Sequence, residues 1–231
     1  MTLELAVRIA EGILAFAIMQ QSVEFIRGQH PEKYLAWLRL MLASFLLVGF
    51  MPVWMETGLL LIALILIKRF QGPYNGGSDT MTLLVLLCLW LSHIASMLFT
   101  HTKLWQEIAL GYLAIQLILS YFQAGWVKVI NPEWRSGKAL ENVFAFTAYP
   151  VSQSVRQWAT NPALMFYMSW AVILFELIFP LTIFSTVALY IALFIAAVFH
   201  LANACLFGLN RFFWIWPAAY PILIWFQSRV F

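Results

Sequence analysis

Charge is what this sequence has least of. Asp, Glu, Lys and Arg make up 10% of its 231 residues, against roughly 25% in soluble domains, while 63% are hydrophobic and the mean hydropathy is +0.85. So few charges exclude a water-soluble globule. They point to an all-α polytopic integral membrane protein with nearly every residue in or on the bilayer. At about 20 residues per spanning helix, the length allows about seven to nine spans and no separate soluble domain, so residues 1–231 are expected to form a single transmembrane domain. The apolar runs show no period-two alternation, which excludes a membrane β-barrel.

Other absences narrow the chemistry. There are two cysteines, Cys88 and Cys205; both sit inside apolar runs and read as small core residues, and the sequence gives no basis for arguing a disulfide between them. No Ser-His-Asp arrangement, P-loop, dinucleotide fingerprint or Cys-x-x-Cys occurs. His30, His93 and His101 stand at no ligand spacing with His200, so no metal is expected. No internal repeat or low-complexity linker is visible. The first apolar segment carries Glu4, Arg8 and Glu11 and lacks a small-residue cleavage site, so no cleavable signal peptide is expected. The net charge of +3 bears on orientation in the bilayer, the main partner, and implies no nucleic-acid partner.

What is present is a succession of apolar segments at 3–25, 34–51, 53–68, 80–99, 105–130, 163–179, 181–207 and 212–228, read as about eight transmembrane helices. In the first, Glu4, Arg8 and Glu11 share one face at i, i+4 and i+7. That face is either an ion-paired surface turned toward the bundle or interface, or a polar wall of a substrate cavity. The long connection 131–162 mixes Trp134, Phe144, Phe146, Tyr149 and Trp158 with Arg135, Lys138 and Arg156, a composition suited to short amphipathic helices in the membrane interface. Asn131-Pro132 should end the preceding span. Alternate connections group Arg27, Lys33, Lys68, Arg69, Arg135, Lys138, Arg156 and Arg211 on one side, against Lys103 and Arg229 on the other. The positive-inside rule then places 131–162 in the cytoplasm and both termini outside.

Three constellations have chemical potential. Lys128 closes the fifth apolar segment, within Tyr121-Phe122-Gln123-Ala124-Gly125-Trp126-Val127-Lys128. A cation at the edge of hydrocarbon snorkels to water, finds a partner or loses its proton, and a lysine that loses its proton can act as a base. Tyr121, Gly125 and Lys128 lie at i, i+4 and i+7. Ala124 and Gly125 serve either close helix packing or space for a flat ligand beside the amine, and Lys128 itself is either that base or an interfacial anchor. The second constellation is Phe199-His200-Leu201-Ala202-Asn203, where His200 and Asn203 share a face with Phe207. They make hydrogen bonds between helices or form a polar floor for a ligand oxygen. The third is Asn75-Gly76-Gly77-Ser78-Asp79, a turn signal in which Asp79 is placed to cap the next helix. Glu176, late in the sixth segment and just before Pro180, should be paired, protonated or facing a cavity.

The run Tyr-Phe-x-Ala-Gly-x-x-Lys at 121–128, followed by Trp134 and Gly137, resembles the core segment of the vitamin K-dependent gamma-carboxylases and the related horizontally transferred transmembrane (HTTM) domain proteins. Phe199-His200-x-x-Asn203-x-x-Leu206-Phe207 is similar to a second family segment, and the Asn-Gly-Gly…Asp turn is similar to the family's bacterial form. Leu5-Ala6-Val7-Arg8, Trp105 and Gln116 add weaker support. The resemblance spans most of the chain in the right order. It implies that Lys128 is the base deprotonating a reduced quinone, vitamin K hydroquinone or menaquinol. The anion then reacts with oxygen, and the resulting alkoxide removes a gamma proton from a peptide glutamate, which adds carbon dioxide while the quinone leaves as its epoxide. His200 and Asn203 would line the quinone pocket, with Tyr121 and Gly125 beside them as cofactor-binding positions. The expected activity is that of a lyase or quinol epoxidase in a bacterial inner membrane. The carboxylases carry a histidine where this chain has the Gly-Gly of its turn. They hold peptide substrate with a large extramembrane domain, which is not expected here. They also work on the lumenal side, opposite to the side given by the charge count. The alternative is a non-catalytic membrane subunit or quinone- or lipid-binding scaffold that works with a protein partner. A transporter is a third reading, suggested by Glu176 and Pro180 but not supported by any visible inverted repeat.

Overall fold

The computed structural model describes residues 1–26, 32–69, 76–146 and 153–231. Arg27, His30, Asn75 and Tyr149, and the side chains of Lys68 and Arg69, which entered the readings above, lie outside the described residues. Among the described residues there are helices and no strands. In chain order they are α1 (Leu3–Phe25), α2 (Glu32–Val48), α3 (Pro52–Arg69), α4 (Gly76–Leu98), α5 (Thr102–Ile130), α6 (Pro132–Ser136), α7 (Lys138–Phe146), α8 (Gln153–Arg156), α9 (Pro162–Ile178), α10 (Thr186–Phe207), α11 (Asn210–Ile215) and α12 (Tyr220–Val230).

The helix ends follow local chemistry. Thr2 caps α1 by accepting from the Leu5 amide, and Ser185 caps α10 by accepting from Ala188. Asn131 and Asn161 cap α6 and α9 in the same way, each followed by a proline at the first helical position, where a missing N–H costs nothing. Asn131-Pro132 therefore ends α5 as the sequence predicts. Asp79 departs from the expected cap: α4 already begins at Gly76, so Asp79 lies inside its first turn, where a carboxylate complements the helix dipole.

Among the described residues, four helical segments are long and apolar enough to cross a membrane: Gly77–Leu98, Thr102–Ile130, Pro162–Phe184 and Thr186–Phe207. The chain is a helical integral membrane protein, and length and composition support four of the eight expected spans. α3 is apolar but shorter over Pro52–Ile67, and α1 carries Glu4, Arg8, Glu11 and Glu24. Two predicted segments differ in shape. The one placed at 181–207 starts later, because α9 runs into a 3₁₀ segment Phe179–Phe184 around Pro180 and α10 begins only after Ser185. The one placed at 212–228 is broken into α11, a 3₁₀ turn Trp216–Ala219 and α12. Pro217 and Pro221 each remove a backbone donor there.

The chain divides into two compact units, residues 1–115 with 211–231, and residues 116–210. In the first, α1 packs on α2 and α12, and α3 packs on α4. The buried face of α1 is built on Ala6, Ala10, Leu14, Ala17 and Ile18, and α2 buries Ala36 and Ala43. Small residues of this kind let helix backbones approach closely where no hydrophobic force separates helix from lipid. In the second unit, the outward residues Leu181, Phe184, Val187 and Phe194 are 63–70% exposed, an apolar surface suited to lipid.

Most of the 131–162 connection forms the short helices expected of it. α7 buries Leu140 and Phe144 and leaves Phe146 out. Phe144 meets Phe207 edge-on at 4.8 Å, in a cluster with Ala159 and Met165. Gly137 ends α6 with φ +82, and a Cβ there would lie 2.7 Å from the Phe166 amide nitrogen on α9. Only glycine meets both demands cheaply. Gly137→Ala should therefore cost about 1–3 kcal/mol, read as a lower unfolding midpoint in detergent. A variant that unfolds with the wild type would contradict the close α6–α9 packing.

Candidate functional site

Lys128, whose sequence context offers no evident partner, has one in the fold. Its ammonium donates to both oxygens of Glu176 on α9, at 2.6 and 2.8 Å, and to the Ala124 carbonyl at 3.4 Å. The Trp134 ring centroid lies 5.3 Å from the same Nζ, a distance at which the aromatic face attracts the cation. The lysine side chain is 17% exposed and the glutamate 4%. Glu176 thus takes the first of its three expected fates, pairing, and the anchor reading of Lys128 gives way to a buried ion pair. Burial of either charge alone would be prohibitive, whereas a bidentate pair recovers much of the lost hydration.

The pair exists because two helices touch at a glycine. A Cβ on Gly125 would lie 2.9 Å from the Leu177 amide nitrogen and 3.0 Å from the Glu176 Cβ. The missing side chain therefore serves close packing of α5 on α9. The space read as room for a flat ligand is filled by Glu176 and Leu177. α6 is fastened to the same helix: the Ser169 hydroxyl donates to the Trp134 carbonyl at 2.5 Å, and the Trp170 indole donates to the Arg135 carbonyl at 3.0 Å. These bonds hold Trp134 beside the lysine.

Two turns earlier on α5, about 10 Å along its axis, Tyr121 and His200 come together. The phenol oxygen and imidazole Nε2 share a 3.0 Å hydrogen bond whose direction the imidazole tautomer sets. Tyr121 stacks on Phe179 at 4.1 Å and meets Phe175 edge-on at 5.9 Å. The interhelical hydrogen bond expected of His200 is thus present. Asn203 lies one turn on, half-buried, and its carbonyl accepts from the Gly208 and Leu209 amides at the end of α10. Of the predicted site residues, the fold joins Tyr121 to His200, and Gly125 to the residues that position Lys128.

The polar face of α1 is ion-paired, and it also borders a cavity. Arg8 donates to Glu11 at 2.8 Å, to the Leu46 carbonyl at 2.9 Å, and to the Leu47 carbonyl. Glu4, Arg8 and Glu11 also line a cavity of about 520 Å³. Sequence reasoning missed who else is there: Glu56 of α3 and His93 of α4 converge on Glu11. The available signal was a single carboxylate inside the apolar α3, which intramembrane economy makes suspect. Asp79, by contrast, interacts electrostatically with Arg39 and Arg211, which favours a structural role.

Fold and site together define a polytopic helical membrane protein with buried ion pairs between its helices. The HTTM domain model matches residues 87–227, more than half of the chain, and the protein belongs to the HTTM domain family. This is a membrane domain related to that of the gamma-carboxylases. No curated protein and no solved structure matches the chain.

Two outcomes follow. Glu176→Leu leaves a half-buried lysine without its carboxylate and should cost up to about 3–5 kcal/mol, whereas the double variant Lys128→Met/Glu176→Leu should recover most of that. A double-mutant cycle by unfolding in detergent measures the coupling, and additive single effects would contradict a paired state. Gly125→Ala should cost about 1–3 kcal/mol by forcing the helices apart; an alanine accepted without loss would mean the space beside the glycine is open after all.

Proposed function

We propose that this protein is a quinol-using, oxygen-dependent membrane enzyme of the carboxylase-like type, with Lys128 as the general base. The observation that carries the reading is the order of the pair: Lys128 is the more exposed partner and Glu176 the more buried one. A substrate hydroxyl reaches the amine first, with a carboxylate directly behind it. As the Lys128 ammonium gives a proton to Glu176, its nitrogen becomes free to take the proton of a quinol hydroxyl. The result is a protonated lysine, a neutral glutamic acid and a quinolate, with net charge unchanged. Positioned proton transfer of this kind contributes about 10²–10⁴-fold to a rate. Trp134 supports the site by holding the cation and offering a flat face to an aromatic ring. Tyr121, two turns before Lys128 on α5, and His200 of α10 act as one hydrogen-bonded unit, and Asn203 follows on the next turn of α10. The quinone would supply the redox chemistry with oxygen, its reduced ring being oxidised to the epoxide. A peptide glutamate and carbon dioxide are the acceptors by family likeness, in a bacterial inner membrane.

The mutual bond of Tyr121 and His200 and the filled space at Gly125 favour a second reading. In it the same residues only lock α5, α9 and α10 together, and the protein is a non-catalytic membrane subunit or quinone- or lipid-binding scaffold with a stoichiometric partner.

Purified wild type and Lys128→Ala, given menaquinol or vitamin K hydroquinone under air, separate the two. The enzyme reading expects quinone epoxide by mass spectrometry from the wild type and background from Lys128→Ala, with Glu176→Gln reduced by about a hundredfold. Equal epoxide from Lys128→Ala removes the lysine's role. No epoxide from either folded protein transfers the case to the scaffold, which then predicts a co-purifying partner.

A further inference from the structure

Away from Lys128, in the unit formed by residues 1–115 and 211–231, three side chains from three helices converge. His93 Nε2 lies 2.5 Å from Glu11 Oε1 and 3.8 Å from Glu56 Oε1. One ligand atom from each residue falls within 4.8 Å of the others. Glu56 is 0% exposed, and among the described residues neither of its oxygens has a hydrogen-bond partner. A buried carboxylate left in that state is expensive. Ser92, one residue before His93, is 1% exposed, and its hydroxyl also lacks a partner while lining the adjoining cavity of about 520 Å³. Glu11 and His93 line the same cavity, and Arg8 stands at its edge bonded to Glu11.

We infer that Glu11, Glu56 and His93 hold a divalent transition-metal ion, with positions open toward the cavity. The donor set selects the class. One imidazole and two carboxylates suit Zn²⁺, Mn²⁺ or Fe²⁺. Ca²⁺ and Mg²⁺ favour all-oxygen shells, and Cu⁺ favours sulfur. Ligand bonds of about 2.0–2.2 Å place neighbouring donors about 3 Å apart, within the spread observed here after a small side-chain adjustment. Two carboxylates offset the ion's charge, and metal coordination removes the desolvation deficit of Glu56. Arg8 is placed to fix the second oxygen of Glu11, as outer partners of metal-bound carboxylates do. Water from the cavity fills the remaining positions, beside Ser92. Glu11 and Glu56 precede the residues matched by the family model, so the site is not accounted for by the resemblance around Lys128.

The test uses the full chain purified in detergent, stripped with chelator and dialysed separately against Zn²⁺, Mn²⁺ and, without oxygen, Fe²⁺. Metal per chain is read by mass spectrometry, and the Mn²⁺ form by electron spin-echo spectroscopy. The expected result is about one ion per chain with a ¹⁴N modulation from an imidazole. Affinity should fall by at least about tenfold in Glu56→Gln and in His93→Ala, and the nitrogen signal should vanish in the latter. Wild type that binds none of the three ions overturns the site and leaves His93 sharing a proton between two carboxylates. Binding that both variants retain also overturns it. If a variant fails to fold, the wild-type stoichiometry and the nitrogen modulation decide alone: both present upholds the site, and either missing overturns it.

Discussion

A charge taken out of water must find its opposite, and in a chain that is nine-tenths uncharged the few charges decide how the helices meet. Lys128 and Glu176 are the clearest case. Their bond requires α5 and α9 to approach to backbone contact, which Gly125 permits. The same helices then set the seat of α6, whose Trp134 and Arg135 carbonyls accept from Ser169 and Trp170. Changing the glycine would disturb the ion pair, and losing the ion pair would leave a lysine stranded in hydrocarbon. Small residues and charged ones are thus parts of one constraint.

The other unit applies the same rule with different groups. Arg8 donates to the Leu46 and Leu47 carbonyls in the last turn of α2. At the same time it neutralises Glu11, which in turn reaches His93. Glu56 is where the rule closes least: among the described residues its oxygens have no hydrogen-bond partner, and His93 stands 3.8 Å away. Buried carboxylates in apolar helices that are left short of hydrogen bonds are places to look for ions, protons or ligands. That is why this cluster, rather than the well-paired Lys128, is the more open chemical question in the molecule.

Membership of the HTTM domain family rests on residues 87–227, which contain the lysine, its carboxylate, Tyr121 and His200. Geometry adds to the family likeness a carboxylate directly behind the lysine. The amine lies less than 3 Å from both carboxylate oxygens, and the carboxylate is the more buried partner. The same close pair can also serve as a structural lock between the two helices.

Composition by itself determined that the chain is helical and membrane-embedded, because low charge and long apolar runs leave the backbone no other way to satisfy its hydrogen bonds in lipid. Local chemistry likewise marked the end of α5 at Asn131-Pro132 and the short helices after it. It also singled out Lys128, Glu176, His200 and the polar face of α1 as groups that need partners. Tertiary structure alone decided who those partners are. Lys128 and Glu176 stand 48 residues apart, Tyr121 and His200 79, and Glu11 and His93 82. No helical period links such positions; only the packing of one helix on another brings them together. The role of Gly125 was undecidable for the same reason: a missing side chain reads alike whether a ligand or a neighbouring helix occupies the space it leaves.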